Sequence, residues 1–278
     1  MGAAGASTPL VCQPPATVGI LGGMGPAAGA DFVRLFVEAC TDVLQACGRP
    51  VTDQAYPEHW LAQVPVPDRS SALRQPDGAA RPLEAMKQAA ARLGALGART
   101  LAIACNTAHA WHGELQASFP DLEVLHGVRE VAADLARRGV PEAGLLATEG
   151  TYASRLYQDA FADAGLRCHL PLPHERQRLM DGIYRGVKAG DLVCARRAFE
   201  DVAVALAQRH GCATLVMGCT EIPLALQAAG AAAELRLVDP ARVIARALAL
   251  RAYRASGTPN AWNEAPLPVP HRRRLLSN

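Results

Sequence analysis

The chain is poor in aromatic side chains: Phe, Trp and Tyr make up 5% of its 278 residues, so its interior has to be assembled from aliphatic groups. It also lacks a charge bias. Its 28 Lys and Arg stand against 26 Asp and Glu, a net of +2, which removes the electrostatic signature of a nucleic-acid or membrane-surface binder and leaves a small molecule as the expected partner. No apolar run approaches the roughly 20 residues that span a bilayer. Residues 1–16 contain no Lys or Arg and are interrupted by Pro9, Pro14 and Pro15, which makes a poor secretory leader. Position 6 is Ala where a myristoylation signal requires Ser or Thr. A cytoplasmic protein is expected. The eight cysteines (12, 40, 47, 105, 168, 194, 212 and 219) contain no Cys-x-x-Cys bite, and the closest pairs, Cys40/Cys47 and Cys212/Cys219, are separated by six residues. Zinc therefore fits poorly. A chain of this length without a leader does not need disulfide staples, so most of the cysteines read as small buried hydrophobes.

What is present is an alternation of apolar runs with helical patterns, the signature of parallel strands joined by helical crossovers. Strands are expected over 17–21, 100–104, 144–147, 214–217 and 235–238. Helices are expected from Pro26 to about Ala46 and over 81–96, 191–210 and 240–253, with Pro26 placed where proline opens helices. A weak internal repeat runs through this order. In each half, a strand emptying into a Gly- or Thr-rich turn precedes a second strand that ends on a cysteine. The chain therefore reads as α/β, with two similar doubly wound domains, each around a central parallel sheet. The expected division is an N-terminal tail (1–16), a first domain (17–126 plus 235–255), a second domain (127–234) and a C-terminal tail (256–278).

The two cysteines occupy near-matching settings. Cys105-Asn106-Thr107 closes the run 101–104, and Cys219-Thr220-Glu221 closes 214–217, with a helix start expected after each. A thiol there lies at the C-terminal edge of a sheet, where open α/β folds hold ligands, and near helix N-H groups that favour a thiolate. Gly23-Met24-Gly25-Pro26-Ala27-Ala28 fits a relaxed dinucleotide fingerprint, but Pro26 removes one N-H from the turn and no acidic strand end follows about 20 residues on. A glycine turn presenting N-H groups to a small carboxylate uses less of the sequence. Pro65-Val66-Pro67-Asp68-Arg69 holds Arg69 on a stiff loop able to aim a guanidinium at a carboxylate, although an Asp68-Arg69 surface pair is the simpler reading of that segment alone. Lys188, between Gly186 and Gly190, could bind an anion or merely cap a helix.

Taken together, Gly-Ile-Leu-Gly-Gly-Met-Gly-Pro (19–26), Pro-Asp-Arg (67–69), Cys-Asn-Thr-Ala-His (105–109), Gly-Leu-Leu-Ala-Thr (144–148), Gly-Ile-Tyr-Arg-Gly-Val-Lys-Ala-Gly (182–190) and Gly-Cys-Thr-Glu (218–221) closely resemble the aspartate racemase branch of the cofactor-independent aspartate/glutamate racemases. The resemblance covers 17–253. It implies an active site in the cleft between the two domains, no pyridoxal phosphate or other cofactor, no metal, and a homodimer. It implies Cys105 and Cys219 as opposed acid and base, with Arg69 and Lys188 on substrate carboxylates. Asn106, Thr107, Thr151 and Thr220, with the turn at Met24 and Gly25, are implied as substrate ligands. Glutamate racemases of this superfamily carry Asp-Ser in the first loop and His after the second Cys-Thr; Gly23-Met24-Gly25 and Glu221 here favour aspartate. Gln63 stands where relatives often carry Asn, which points to it as a selectivity residue. His109 reads as packing behind the site. The alternatives are racemisation of glutamate, of a broader amino-acid set or of hydantoins, and an inactive protein that binds a dicarboxylate.

Overall fold

The computed structural model describes residues 11–74 and 80–254. In chain order the elements are β1 (Val18–Gly22), α1 (Pro26–Ala46), β2 (His59–Gln63), α2 (Arg69–Arg74), α3 (Ala80–Ala95), β3 (Thr100–Ile103), α4 (His112–Ser118), β4 (Glu123–Val124) and α5 (Gly127–Arg137). Then follow β5 (Glu142–Ala147), α6 (Glu149–Ala153), α7 (Leu156–Asp163), β6 (Arg167–His169), α8 (Pro173–Asp181), α9 (Leu192–His210), β7 (Thr214–Gly218), α10 (Ile222–Ala225), β8 (Arg236–Val238) and α11 (Pro240–Ala252). The strands form two four-stranded sheets with the same order, β2-β1-β3-β4 and β6-β5-β7-β8, and every pairing is parallel.

Strand side chains alternate between two helix layers. In the first sheet, Val18 and Ile20 with Ala102 and Ala104 pack against Phe32, Phe36 and Val43 of α1, whereas Leu21, Leu101 and Ile103 pack against Met86, Ala90 and Leu93 of α3. In the second, Leu215 and Met217 meet Phe199, Val202 and Leu206 of α9, while Leu145 and Val216 meet Tyr157 and Phe161 of α7. This is why β1 and β7 are buried on both faces and read as continuous apolar runs. Each fully buried Leu or Phe contributes about 1.5–3 kcal/mol relative to exposure. Gly144 sets how closely α9 lies on its sheet, since a Cβ there would stand 2.7 Å from Leu206 Cδ2.

The chain crosses between the sheets twice, and each crossing hands a helix to the other unit. After β4, α5 buries Val128, Val131 and Leu135 with the α7 layer of the second sheet. After β8, α11 returns to bury Ile244, Ala245 and Leu248 beside α1 under the first. The segment 235–255, expected within the first domain, is thereby divided. Its strand pairs with β7 (Thr214 with Arg236, Leu215 with Leu237), because an apolar run that follows a parallel strand by a short crossover completes that strand's sheet; only its helix joins the first core. Asp239 marks the change, its carboxylate accepting from the Ala241 N-H as the cap of α11.

Residues 11–16 run alongside the end of α11, with N-H groups of Gln13 and Ala16 donating to the carbonyls of Tyr253 and Ala252. That docking places Cys12 against Cys47 at the C-cap of α1, and the two form a disulfide, Cα atoms 6.1 Å apart. It corrects the expectation of unbridged cysteines: Cys12 is far from Cys47 in sequence, and only the seat on α11 brings them together. The expected tail over 256–278 lies outside the described residues. Among the described residues, no helix is long and apolar enough to cross a membrane.

Candidate active site

A narrow cleft opens where the C-terminal ends of the two sheets meet. Its lining comes from equivalent places in the two sheets: Met24 after β1, Asp68 to Ser70 after β2 and Cys105 to Thr107 after β3, facing Thr148 after β5, Tyr184 and Lys188 between β6 and α9, and Cys219 to Glu221 after β7. The two cysteines, Cys105 at 6% and Cys219 at 7% exposure, share this one space.

The turn after β1 is made possible by Gly23, whose φ of +89° suits glycine and whose Cβ would lie 2.2 Å from the Val64 carbonyl oxygen. Arg69 is the first residue of α2 and not part of an irregular loop; Asp68 caps that helix by accepting from the Ser71 N-H at 2.7 Å. The helix start swings Arg69 inward to 9% exposure. Its Nη1 donates to the carbonyls of Val66 (3.0 Å) and Pro67 (3.1 Å), and its Nη2 to that of Met24 (2.7 Å). Nε, buried, has no protein partner. Burial works against this charge, but Cys105, Asp68 and Glu221 outweigh it and hold the guanidinium more firmly protonated than usual.

Asp68 is no surface partner of Arg69. Its Oδ2 accepts from Tyr184 Oη at 2.9 Å across the cleft, and although burial pushes its carboxyl up, the Ser71 and Tyr184 hydrogen bonds bring it below the usual carboxylate range. Lys188 Nζ sits 4.9 Å from the centre of the Tyr184 ring and 3.7 Å from Glu221 Oε1. Glu221 Oε2 in turn accepts from Cys219 Sγ at 3.0 Å and from Thr220 Oγ1 at 3.2 Å. Burial pushes the Cys219 thiol well above its ordinary value, and the neighbouring Glu221 charge raises it further.

Behind Cys105, Tyr157 Oη donates to Asn106 Oδ1 (2.5 Å), and Thr107 Oγ1 meets Thr148 Oγ1 (3.0 Å) and Thr151 Oγ1 (2.9 Å), joining the two sheets by buried hydroxyls. Thr148 also caps α6, accepting from the Thr151 N-H. His109 donates through Nδ1 towards the carbonyls of Cys105 (3.0 Å) and Asn106 (3.1 Å), bracing the loop that carries the thiol. Burial lowers its imidazole to about 4, so it stays neutral.

Of the residues singled out in the sequence, Cys105, Cys219, Arg69, Lys188, Asn106, Thr107, Thr220 and Met24 line the cleft. Three stand apart. Thr151 is fully buried behind Thr107. Gly25 lies beside the Glu221 carboxylate, where a Cβ would come within 3.3 Å of Oε1. Gln63, at the end of edge strand β2, turns away from the cleft: its Nε2 donates to the Pro26 carbonyl at 2.8 Å, and its amide fills the space left open by Gly22 and Gly29. Gly22 at the end of β1 and Gly29 near the start of α1 were the signal that a long side chain is wanted there. Asp68, Ser70, Thr148, Ile183, Tyr184 and Glu221 also line the cleft, and all but Ser70 and Ile183 hydrogen-bond across or along it.

The model of the Asp/Glu/Hydantoin racemase family matches residues 21–248, which contain every cleft residue named above. The chain belongs to this family. Among solved structures, the aspartate racemase of Picrophilus torridus is 25% identical with a TM-score of 0.70, and the likeness covers 87% of this chain and 96% of that one. Among sequences, a glutamate racemase of Pseudomonas aeruginosa is 34% identical over 185 residues, 61% of this chain and 66% of that protein. The broad specificity amino-acid racemase RacX of Bacillus subtilis is 29% identical over 154 residues, 53% of this chain and 61% of its own length. The chain thus spans just under two thirds of the curated relatives named here. These relatives carry different substrate names.

Proposed function

We propose that this family member is an amino-acid racemase that works without pyridoxal phosphate and interconverts L- and D-aspartate by a two-thiol proton transfer. The observation that carries this reading is the entry of Cys105 and Cys219 into one cleft from equivalent strand ends of two like-ordered sheets, with one cation on each wall. Racemisation must remove a weakly acidic α-proton and return one to the opposite face. Two groups on either side of Cα do so without turning the substrate, one as thiolate base and the other as thiol acid. In this reading Arg69, seated on three backbone carbonyls, and Lys188 take the carboxylates and stabilise the charge that builds on the α-carboxylate as the proton leaves. A buried cleft strengthens both contacts.

Two cations suit a dicarboxylate, and the Picrophilus likeness together with Gly23-Met24-Gly25 and Glu221 supports aspartate. The Pseudomonas relative favours glutamate as the second reading. Incubation with single L- and D-amino acids in deuterium oxide separates them. Deuterium entering Cα of aspartate with loss of optical rotation supports the proposal; exchange confined to glutamate moves it to the second reading; binding of a dicarboxylate without any exchange identifies a binding protein. A homodimer in the cytoplasm is the assembly and location we propose with this activity, and light scattering tests the first.

A further inference from the structure

One buried carboxylate in the cleft has no part in the two-thiol scheme. Glu221 is 6% exposed, and burying an ionised carboxylate is unfavourable unless its oxygens are engaged. Here they are. Oε2 takes the Sγ hydrogen of Cys219 at 3.0 Å and the Thr220 hydroxyl at 3.2 Å, and Oε1 faces Lys188 at 3.7 Å. The absence of a side chain at Gly25 leaves the carboxylate its room. An ionised carboxylate only accepts hydrogen bonds, so a sulfur at this distance has to bring the proton. A thiolate at the same place would put two anions in contact. Cys105 stands in the opposite setting, near the Arg69 guanidinium and without a carboxylate on its sulfur.

We propose that Glu221 is a positioning residue that keeps Cys219 protonated in the resting protein, so that Cys105 is the base that opens the cycle; the inference rests on the racemase reading above. The Cα–H bond breaks, its proton bonds to Cys105 Sγ, and the Cα electron pair takes the proton from Cys219 Sγ. That leaves a Cys219 thiolate beside Glu221, the less stable of the two protonation forms. It relaxes by taking a proton from water while Cys105 returns its own to solvent. Glu221 itself gains and loses no proton. The resting site is therefore loaded for the enantiomer whose α-hydrogen faces Cys105, and the opposite enantiomer needs the less populated form.

The test is the pH dependence of iodoacetamide alkylation at each cysteine, read by mass spectrometry of the separate peptides between pH 6 and pH 10. In the unchanged protein the alkylation midpoint of Cys219 is expected above that of Cys105 by about one pH unit or more, the scale on which a neighbouring like charge moves a titration. Glu221→Gln keeps the shape and an acceptor but removes the charge. Cys219 is then expected to react about tenfold faster at pH 8, with Cys105 changed less than about twofold. Glu221→Asp, which keeps the charge, is expected to retain the high midpoint. The reverse order of midpoints in the unchanged protein overturns the proposal without any variant, as does an unaltered Cys219 rate in Glu221→Gln or an equal rise at both cysteines. Alkylation needs no turnover, so a protein that labels as expected yet exchanges no α-deuteron retires the racemase reading and leaves the poise of Cys219 standing.

Discussion

Replacing Arg69 by Lys keeps the charge and removes the fork, and the structure says what that should do. Arg69 satisfies three backbone carbonyls at 2.7–3.1 Å while lining the cleft beside Cys105. A lysine ammonium has three hydrogens on a single nitrogen and cannot serve Met24, Val66 and Pro67 together and also face a ligand. Two lost charged hydrogen bonds, partly replaced by water, amount to about 2–3 kcal/mol of stability. For a chain of this size that is a fall in Tm of roughly 4–10 °C. Loss of one preorganised donor at developing charge costs about 10²–10³-fold in turnover. Arg69→Lys is therefore expected to lower both Tm in a calorimetric scan and kcat/KM for aspartate in a coupled or polarimetric assay. Wild-type values of both would refute the placement of Arg69 as an anchored anion ligand. A fall in Tm with kcat/KM intact would reduce it to a structural residue.

Other outcomes follow from the same geometry. Tyr184→Phe deletes the hydrogen bond to Asp68 across the cleft and should raise KM more than it lowers kcat; it should also bring the Asp68 carboxyl, now held below its usual range, back towards that range, so that substrate binding weakens at a higher pH as acid is added. His109, neutral and lowered from 6.5 to about 4 by burial, stabilises the fold fully above about pH 6.5, and that contribution is lost as the pH falls towards 4. The change is about 3 kcal/mol by linkage, read as a falling urea midpoint that His109→Asn should flatten. Cys47→Ser opens a 35-residue loop and is expected to cost on the order of 4 kcal/mol under oxidising conditions and nothing in the presence of reductant.

How far the sequence can be read differs from element to element. Strands β1, β3, β5 and β7 are legible because each is a central strand buried on both faces and therefore a run of consecutive apolar residues ending at Gly, Thr or Cys. Edge strands β2 and β6 are not: Trp60 is half exposed, Arg167 faces solvent, and their pairing depends on the neighbour and not on their own pattern. The two thiols are legible for the same reason as the strands that carry them. The side-chain directions around them are not. Nothing in Cys-Thr-Glu says that the glutamate folds back onto the sulfur two residues earlier, and nothing in Gln-Val-Pro says that Gln63 turns to the Pro26 carbonyl. The helix start at Arg69 escapes a reading in which Pro65 and Pro67 exclude regular structure, because proline forbids helix before itself but not two residues after. The Cys12–Cys47 bridge depends on where residues 11–16 dock, which only the folded α11 decides.

The proposed racemisation requires that two thiols in one cleft move the α-proton. Its most direct measurement is the racemisation and α-deuteration of L- and D-aspartate in deuterium oxide by the unchanged protein, Cys105→Ala and Cys219→Ala. One deuteron per inverted product is expected from the unchanged protein, and no racemisation of either enantiomer by either variant. Full turnover in either variant would contradict it.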